Sequence, residues 1–231
     1  MNEQTNTSAV GNEKKKKIRA VFFDMDGTVT DTERIYNRFW VEAAHREGVL
    51  NFTKEDALLL RSLNHEDSAA LMKKRFGDNV PYEAIHRRCK KLVADETAAH
   101  GVPVKPGVDT ILSELNRRGI PAAIVTATAL DTALKCLSDA GLAGRFSPVI
   151  SAHEVKRGKP HPDPYLYAAE QIGLTPEETL AVEDSPNGAL SAIAAGCRTI
   201  MVPDLTEPDE ELSARLYGVA ETLADVSHFL E

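Results

Sequence analysis

The chain has 231 residues, of which 42% are hydrophobic and 27% are charged. This composition is ordinary for globular proteins and excludes the collagen-like, disordered and disulfide-dense classes. The formal net charge of −8 argues against general binding to duplex nucleic acid, because such binding relies on lysine and arginine to neutralise phosphates. The three cysteines (Cys89, Cys136 and Cys197) are far apart and form no CxxC or Cys/His motif, so neither a zinc site nor a disulfide framework is indicated. We therefore expect a reducing, cytoplasmic location.

The N-terminal segment 1–17 is polar and ends in four lysines, which is typical of a frayed tail. It has no apolar segment like that of a secretory leader, and no run of about 18 apolar residues occurs in the chain. We therefore expect no membrane span. Tethering of the lysines to a membrane or a nucleic acid is the less favoured alternative.

Short apolar segments recur along the chain between polar or turn-forming residues. The first follows Arg19 and reads AVFF before Asp24. Such runs are typical of strands that are buried on both faces of a sheet. Segments of the same type occupy 120–126, 148–151, 179–183 and 198–202.

Helical patterns lie between these segments, with apolar residues at i, i+3, i+4 and i+7. They run from Val108 to Leu115, from Leu130 to Leu137 and from Tyr165 to Ile172. Helix starts are indicated by Asp163-Pro164, by the capping-box pattern Thr175-Pro176-Glu177-Glu178 and by Ser185-Pro186, and Gly196 marks the end of the last helix. The alternation of strands and helices predicts an α/β fold with a doubly wound, Rossmann-like parallel sheet.

One long segment interrupts this alternation. Residues 33–102 contain no convincing strand but several amphipathic helical patterns, which predicts a small α-helical domain inserted after the first strand. We call residues 33–102 the cap. The core then consists of 18–32 and 103–231, and 1–17 forms a disordered tail.

Polar residues with catalytic chemistry follow the predicted strands. They are Asp24 and Asp26 after the first strand, Thr126 at the end of the second, Lys159 in the loop after the third, and Glu183 and Asp184 at the end of the fourth. Because ligands of open α/β sheets bind at the carboxyl ends of the strands, we expect these side chains to converge. Four carboxylates with a lysine and a hydroxyl indicate a divalent-metal and phosphate site, and the oxygen-only ligand set favours Mg²⁺ over zinc.

The segment Thr126-Ala127-Thr128 combines hydroxyls with free backbone N–H groups at a helix start, which suits an anion. Two roles are open for Thr128, because it either belongs to this anion site or caps the following helix.

Four segments resemble, in order and spacing, the motifs of the haloacid dehalogenase-like phosphohydrolase superfamily. They are FFDMDGTVTDT, IVTAT, RGKPHPDPY and VEDSPNGALSAIAAG, and the resemblance covers essentially all of residues 18–202. A single DxD pair would be weak evidence, whereas four motifs at four predicted strand ends are specific.

The resemblance implies a role for each matching residue. Asp24 is expected to attack phosphorus and form an aspartyl-phosphate, and Asp26 to act as general acid and then base. Thr126 and the Ala127 amide are expected to hold phosphate oxygens, while Lys159 neutralises charge. The resemblance places Mg²⁺ on the Asp24 carboxylate, the Asp26 backbone carbonyl and Asp184, with Glu183 behind them or bridging through a water.

The type of family member is indicated by two features. The aspartate at Asp26 argues against the dehalogenase and phosphonoacetaldehyde hydrolase branches, which lack it. The helical insert is similar to the cap of the subclass that includes β-phosphoglucomutase, phosphoglycolate phosphatase and sugar-phosphate phosphatases. Such a cap would exclude water and contact the leaving group.

The cap segment 58–71, LLLRSLNHEDSAAL, resembles the substrate loop of the mutase. Arg61 keeps a basic position of that loop, but His65 stands in place of an arginine and Tyr36 in place of a histidine. Losing a bidentate arginine weakens the grip on a bisphosphate, which favours hydrolysis and leaves a phosphosugar mutase as the alternative. We take Arg61, His65 and Lys73 as candidate substrate contacts.

The aromatic residues Phe39 and Trp40 have helical spacing and are predicted to pack in the cap interior rather than to contact substrate. A remote alternative for the whole chain is a phosphometabolite-binding module without turnover, but such proteins usually lose the nucleophile, the acid/base or the lysine. The sequence thus predicts a monomeric, Mg²⁺-dependent phosphatase that acts on a small phosphorylated metabolite, a sugar phosphate or similar monoester, without nucleic-acid or membrane partners.

Overall fold

The structure of the protein, a computed structural model, describes residues 16–231. Nearly all of the predicted tail 1–17 therefore lies outside the described residues. The strands are β1 (Ala20–Phe23), β2 (Ala122–Thr126), β3 (Val149–Ser151), β4 (Thr179–Glu183), β5 (Arg198–Met201) and β6 (Gly218–Val219). The helices are α1 (Glu33–Arg46), α2 (Lys54–Leu59), α3 (His65–Phe76), α4 (Tyr82–His100), α5 (Val108–Arg118), α6 (Leu130–Asp139), α7 (Asp163–Gln171), α8 (Pro186–Ala195) and α9 (Glu210–Ser213).

The six strands form one sheet in the order β3-β2-β1-β4-β5-β6, and every neighbouring pair is parallel. β1 lies in the middle and is buried along its whole length. Its side chains alternate between two apolar clusters, since Phe23 packs with Leu112 and Ile124 whereas Phe22 packs with Tyr165. The doubly wound α/β fold is therefore confirmed, and it brings the carboxyl ends of β1, β2 and β4 side by side.

The helix boundaries follow from local chemistry. The Ser185 hydroxyl accepts a hydrogen bond from the Gly188 N–H at 3.2 Å and caps α8, which ends at Gly196 in the left-handed conformation. The sequence pattern of Asp163-Pro164 predicts Asp163 as the cap and Pro164 as the first helical residue of α7, which is wrong by one residue: Pro162 occupies the cap position, and Asp163 is the first helical residue. Pro164 is still tolerated there, because the first turn of a helix leaves its N–H groups unpaired.

Helices α1 to α4 follow β1 and precede β2 along the chain, and they pack around an apolar cluster of their own. Phe39, Met72, Tyr82, Ile85 and Cys89 are buried in it. The two chain segments that join these helices to the sheet run side by side, since the Asp31 N–H donates to the Pro103 carbonyl at 2.8 Å. The Lys105 N–H likewise donates to the Val29 carbonyl at 3.0 Å, so the cap is attached through a paired connection.

β6 was not predicted from the sequence. It contains only Gly218 and Val219, which are too short a segment to show an apolar run, and its place is set by pairing with Ile200 and Met201 of β5. Among the described residues, no helix is long and apolar enough to span a membrane.

Gly107 offers a stability test of the second connection. It adopts φ +91°, and an added Cβ would lie 2.5 Å from the Ala224 backbone nitrogen. Gly119 adopts φ +66° but has open space around it. In urea unfolding we expect Gly119→Ala to lower the free energy of unfolding by about 1–2 kcal/mol, because a Cβ disfavours the left-handed backbone conformation. Gly107→Ala should lower it by about 1–3 kcal/mol more, because the clash with a backbone atom is added. Equal losses would contradict the tight packing of this connection.

Candidate active site

Asp24 and Asp26 emerge where β1 ends. Asp24 is buried, and its backbone N–H continues the sheet by donating to the Val182 carbonyl at 2.9 Å. The chain then turns at Gly27, which has φ +94°. A Cβ at Gly27 would overlap the Asp184 carboxylate, so only glycine lets the β1 loop pass this close to the end of β4.

Lys159 holds the centre of the site together. It is fully buried, with Nζ 2.7 Å from Asp24 Oδ1 and 2.6 Å from Glu183 Oε1, and it donates to the Val125 carbonyl at 2.9 Å. Burial alone would lower the pKa of Lys159, but the carboxylates of Asp24 and Glu183 outweigh it and raise the pKa above its usual range. The lysine is therefore a permanent cation between two acids.

Glu183 and Asp184 form the acidic end of β4. Burial raises the pKa of Glu183 to about 7 although Lys159 opposes the shift, and the Tyr165 hydroxyl donates to Glu183 Oε1. Burial also raises the pKa of Asp184 well above its usual range, with Arg61 opposing. In both carboxyl groups the effect of burial on the pKa exceeds the opposing effect of the nearby cations, so the described residues do not fully compensate the negative charge.

The three buried acids fit a magnesium ion. Carboxylate oxygens of Asp24, Glu183 and Asp184 lie within 4.8 Å of one another. Within the described part of the chain, one oxygen of each (Asp24 Oδ2, Glu183 Oε2 and Asp184 Oδ1) is buried without a hydrogen-bond partner. Unpaired buried carboxylate oxygens are costly, and a hard divalent cation would satisfy them.

The Asp26 side chain is oriented by two hydroxyl groups. Thr32 Oγ1 donates to Asp26 Oδ1 at 2.6 Å, and Thr128 Oγ1 donates to Asp26 Oδ2 at 2.9 Å. Burial raises the pKa of Asp26, with the Thr32 hydrogen bond opposing and Asp24 adding to the shift. Each side-chain oxygen of Asp26 thus accepts a hydrogen bond from a hydroxyl group, which fixes the orientation of the carboxyl group.

The end of β2 supplies the predicted anion loop. Thr126 is buried and its hydroxyl accepts the Thr128 N–H at 3.0 Å, while Ala127 lines the adjoining pocket. Thr128 does not cap α6, since Ala129 occupies that position without a side-chain hydrogen bond. Of the two roles left open for Thr128, capping of the helix is therefore excluded, and its hydroxyl instead donates to Asp26.

Sequence reasoning missed how the cap docks on the core. Arg61 is buried and contacts Asp184, while its Nε lies 3.3 Å from Glu33 Oε1. Ser62 Oγ lies 2.8 Å from Ser185 Oγ. Asn187 Nδ2 donates to the Arg61 carbonyl at 3.0 Å. The cap loop that contains Arg61 and Ser62 therefore packs against core residues 184–187. In the sequence these residues indicate a metal ligand and a helix start, and nothing in their pattern indicates contact with the cap.

A cavity of about 230 Å³ lies between core and cap. Asp24, Asp26, Thr126 and Ala127 line it from the core, and Arg61 and His65 line it from the cap. Lys73 is exposed and is not among its lining residues. Two cap residues predicted to contact substrate therefore reach the pocket, and the third does not.

The cap wall of the cavity is aromatic. The rings of Trp40, Tyr82 and His86 are nearly parallel, with centroids 5.6–6.2 Å apart in all three pairs. Trp40 packs against the apolar cluster of the cap, as predicted, and it also lines the pocket, whereas Phe39 is buried in that cluster. Burial, with Lys90 and His65 adding, lowers the pKa of His86 to about 4.

Comparison with known proteins shows clear sequence similarity to one enzyme family. The sequence profile of the haloacid dehalogenase-like hydrolases matches residues 18–196. The chain is 36% identical to hexitol phosphatase A of Escherichia coli K12 over 202 residues, which cover 84% of this chain and 89% of the relative. It is 31% identical to the phosphoglycolate phosphatase of Escherichia coli O157:H7, over 85% of this chain and 89% of that one.

Solved structures have the same architecture. CbbY from Rhodobacter sphaeroides, crystallised with phosphate, superposes with a TM-score of 0.74 at 28% identity, covering 90% of this chain and 96% of that one. A β-phosphoglucomutase from Clostridium difficile superposes with a TM-score of 0.75 at 19% identity, over 90% and 93% of the two chains. At that identity the second likeness shows the fold alone.

The acid cluster predicts that Mg²⁺ stabilises the folded protein. Saturating Mg²⁺, at about 100 times its dissociation constant, should raise the free energy of unfolding by about 2.7 kcal/mol, because the ion binds only the folded state. Asp184→Asn should lose this gain. The matched control is Asp56→Asn, which removes a buried carboxylate paired with Arg75 in the cap and should keep the gain. Loss of the gain in both variants, or in neither, would contradict the assignment.

Proposed function

The chain belongs to the haloacid dehalogenase-like hydrolases, and on that premise we propose that it is a Mg²⁺-dependent phosphatase of small phosphorylated metabolites. The favoured substrates are sugar phosphates or similar monoesters. The observation that carries the proposal is the pairing of two aspartates at one pocket, Asp24 held by Lys159 and Asp26 held by Thr32 and Thr128. Because the two aspartates have different partners, one can act as the nucleophile and the other as the acid/base group.

Asp24 is the nucleophile in this mechanism. Lys159 holds Oδ1, whereas Oδ2 has no hydrogen-bond partner among the described residues. Attack of the carboxylate on phosphorus forms an acyl phosphate and breaks the bond to the leaving oxygen. The positive charge of Lys159 remains next to the reacting carboxylate throughout and lowers the repulsion between two anions.

Asp26 moves the proton. Its carboxyl group gives a proton to the departing alkoxide, and the resulting carboxylate then takes a proton from the water that hydrolyses the acyl phosphate. Thr32 and Thr128 fix the orientation of the group through both steps. Thr126 and the Ala127 amide, at the end of β2, hold the non-bridging phosphate oxygens.

The residues that would hold magnesium are Asp24, Asp184 and the backbone carbonyl of Asp26, with Glu183 supporting them. With the ion bound, these residues would present additional positive charge to the phosphoryl group. Lys159 and the Tyr165 hydroxyl both contact Glu183 Oε1 and hold the side chain in place. Glu183 Oε2 has no hydrogen-bond partner among the described residues and would be available to support the metal.

The substrate class follows from the pocket and from the relatives. A cavity of about 230 Å³ suits a small molecule, and the rings of Trp40 and Tyr82 offer apolar faces to the C–H groups of a polyhydroxyl leaving group. The names of the relatives, hexitol phosphatase and phosphoglycolate phosphatase, refer to small phosphorylated compounds. Hydrolysis is favoured over mutase chemistry because His65, which replaces the mutase arginine, is paired with Glu83 at 2.9 Å.

The direct test is phosphate release from a panel of hexitol phosphates, sugar phosphates, phosphoglycolate and nucleotides, each with Mg²⁺ and with a chelator. β-Glucose 1-phosphate is included with a bisphosphate primer and is also assayed for glucose 6-phosphate. We expect Mg²⁺-dependent phosphate release. Isomerised sugar phosphate with little free phosphate would instead identify a mutase, and no turnover of any ester would contradict both.

Replacement of the nucleophile should abolish turnover. We expect Asp24→Asn to lower kcat at least about 10⁴-fold on the best ester of the panel, because the amide cannot form the acyl phosphate. Asp139→Asn, which removes an exposed carboxylate paired with Lys135, should leave kcat unchanged. Substantial activity in Asp24→Asn would rule out the covalent mechanism.

Replacement of the acid/base group should separate the two steps. Asp26→Asn should slow sugar-phosphate turnover by about 10²–10⁴-fold, since an alkoxide leaves poorly without a proton. With an aryl phosphate, whose phenolate leaves unaided, the same variant should release a rapid burst of about one phenol per enzyme and then stall. The burst arises because the acyl phosphate forms but is not hydrolysed. Uniform slowing of both substrates without a burst would assign Asp26 another role.

A further inference from the structure

Three cap side chains outside the proposed phosphoryl-transfer chemistry converge at the outer wall of the pocket. His65 is the first residue of α3, and Glu83 and His86 lie one turn apart on α4. A ring nitrogen of each histidine and a carboxylate oxygen of Glu83 all lie within 4.8 Å of one another. We propose that His65, Glu83 and His86 form a second metal site, for a divalent transition ion such as Zn²⁺.

The ligand types distinguish this site from the acid cluster. Two imidazoles and one carboxylate suit Zn²⁺, Co²⁺ or Ni²⁺, whereas the all-oxygen cluster of Asp24, Glu183 and Asp184 suits Mg²⁺. The spacing of Glu83 and His86 at i and i+3 places both side chains on one face of α4. Three protein ligands would leave a coordination position for water or a ligand oxygen.

The packing around the cluster holds two of its members near the required geometry. The His86 ring packs beside the nearly parallel rings of Tyr82, 5.6 Å away, and Trp40, 5.8 Å away. Its centroid is 4.9 Å from that of His65. His65 Nε2 is 2.9 Å from Glu83 Oε1, a contact that an ion would replace.

The site would link two helices of the cap and lie beside the substrate pocket. Tyr82, His65 and His86 line the cavity that also contains Asp24 and Asp26. A bound ion would connect α3 to α4 and add positive charge to the wall opposite the reacting groups. Lys90 lies one turn beyond His86 on α4 and also lines the cavity, and its charge opposes a bound cation.

The test is a titration of the full-length protein with Co²⁺, followed by visible absorption, and with Zn²⁺, followed by calorimetry, both in a large excess of Mg²⁺. We expect one equivalent of ion with the absorption of a low-coordinate Co²⁺ site. Single variants His65→Ala, Glu83→Gln and His86→Ala should each raise the dissociation constant at least about tenfold. Far-UV circular dichroism and the urea unfolding midpoint show whether each variant is folded.

Three further variants make the result specific to this cluster. His100→Ala removes an exposed histidine on the same α4 helix that also faces a glutamate, Glu96 at 3.8 Å, and should leave the dissociation constant unchanged. Asp184→Asn, which disrupts the acid cluster, should keep the Co²⁺ absorption. Lys90→Gln should bind the ion several-fold more tightly, an effect that unfolding cannot produce.

Three outcomes would overturn the proposal. The first is the absence of Co²⁺ or Zn²⁺ binding in the presence of Mg²⁺. The second is an equal loss in His100→Ala and His86→Ala, which would indicate general binding to surface histidines. The third is loss of the signal in Asp184→Asn alone, which would place the ion in the acid cluster.

Discussion

The buried contacts of Lys159 with Asp24 and Glu183 are the constraint on which the site depends. A lysine with no solvent exposure carries a large desolvation cost, and two carboxylates at 2.6–2.7 Å offset it only because all three groups are held rigidly. The parallel sheet provides that rigidity, since β1 and β4 are neighbours and deliver the two acids to the same edge. Removing Lys159 would leave both carboxylates in the interior without the cation that they share.

The same edge also connects the cap to the catalytic centre. Asp184, Ser185 and Asn187 follow β4, and all three contact the cap loop that contains Arg61 and Ser62. Glu33, at the start of the first cap helix, faces Arg61 as well, and burial raises the pKa of Glu33 to about 8. The position of the cap is therefore coupled electrostatically to an acid that we assign to magnesium, and the substrate pocket forms only where both parts meet.

The residues at strand ends could be predicted because their placement follows from one rule of the fold. Thr126 and Glu183 each end a buried strand, Asp24 directly follows one, and adjacent parallel strands end at one edge of the sheet. The hydroxyls of Thr32 and Thr128 could not be assigned in this way, because they lie in loops whose course depends on the packing of the connections. The place of Trp40 in the pocket wall could not be predicted either, since helical spacing cannot distinguish an interior side chain from one that also lines a pocket between two domains.

By itself, the sequence determined the α/β class, the helical insertion and the order of the motifs that carry Asp24, Thr126, Lys159 and Asp184. These properties depend on local periodicity, on turn chemistry and on the residue types that follow each strand. Only the tertiary structure decided that Arg61 pairs with Asp184, that Thr128 orients Asp26 rather than capping a helix, and that His65 meets His86. Each of these contacts joins separate elements, and the physical reason is that such pairings depend on how whole elements pack and not on the local pattern around either residue.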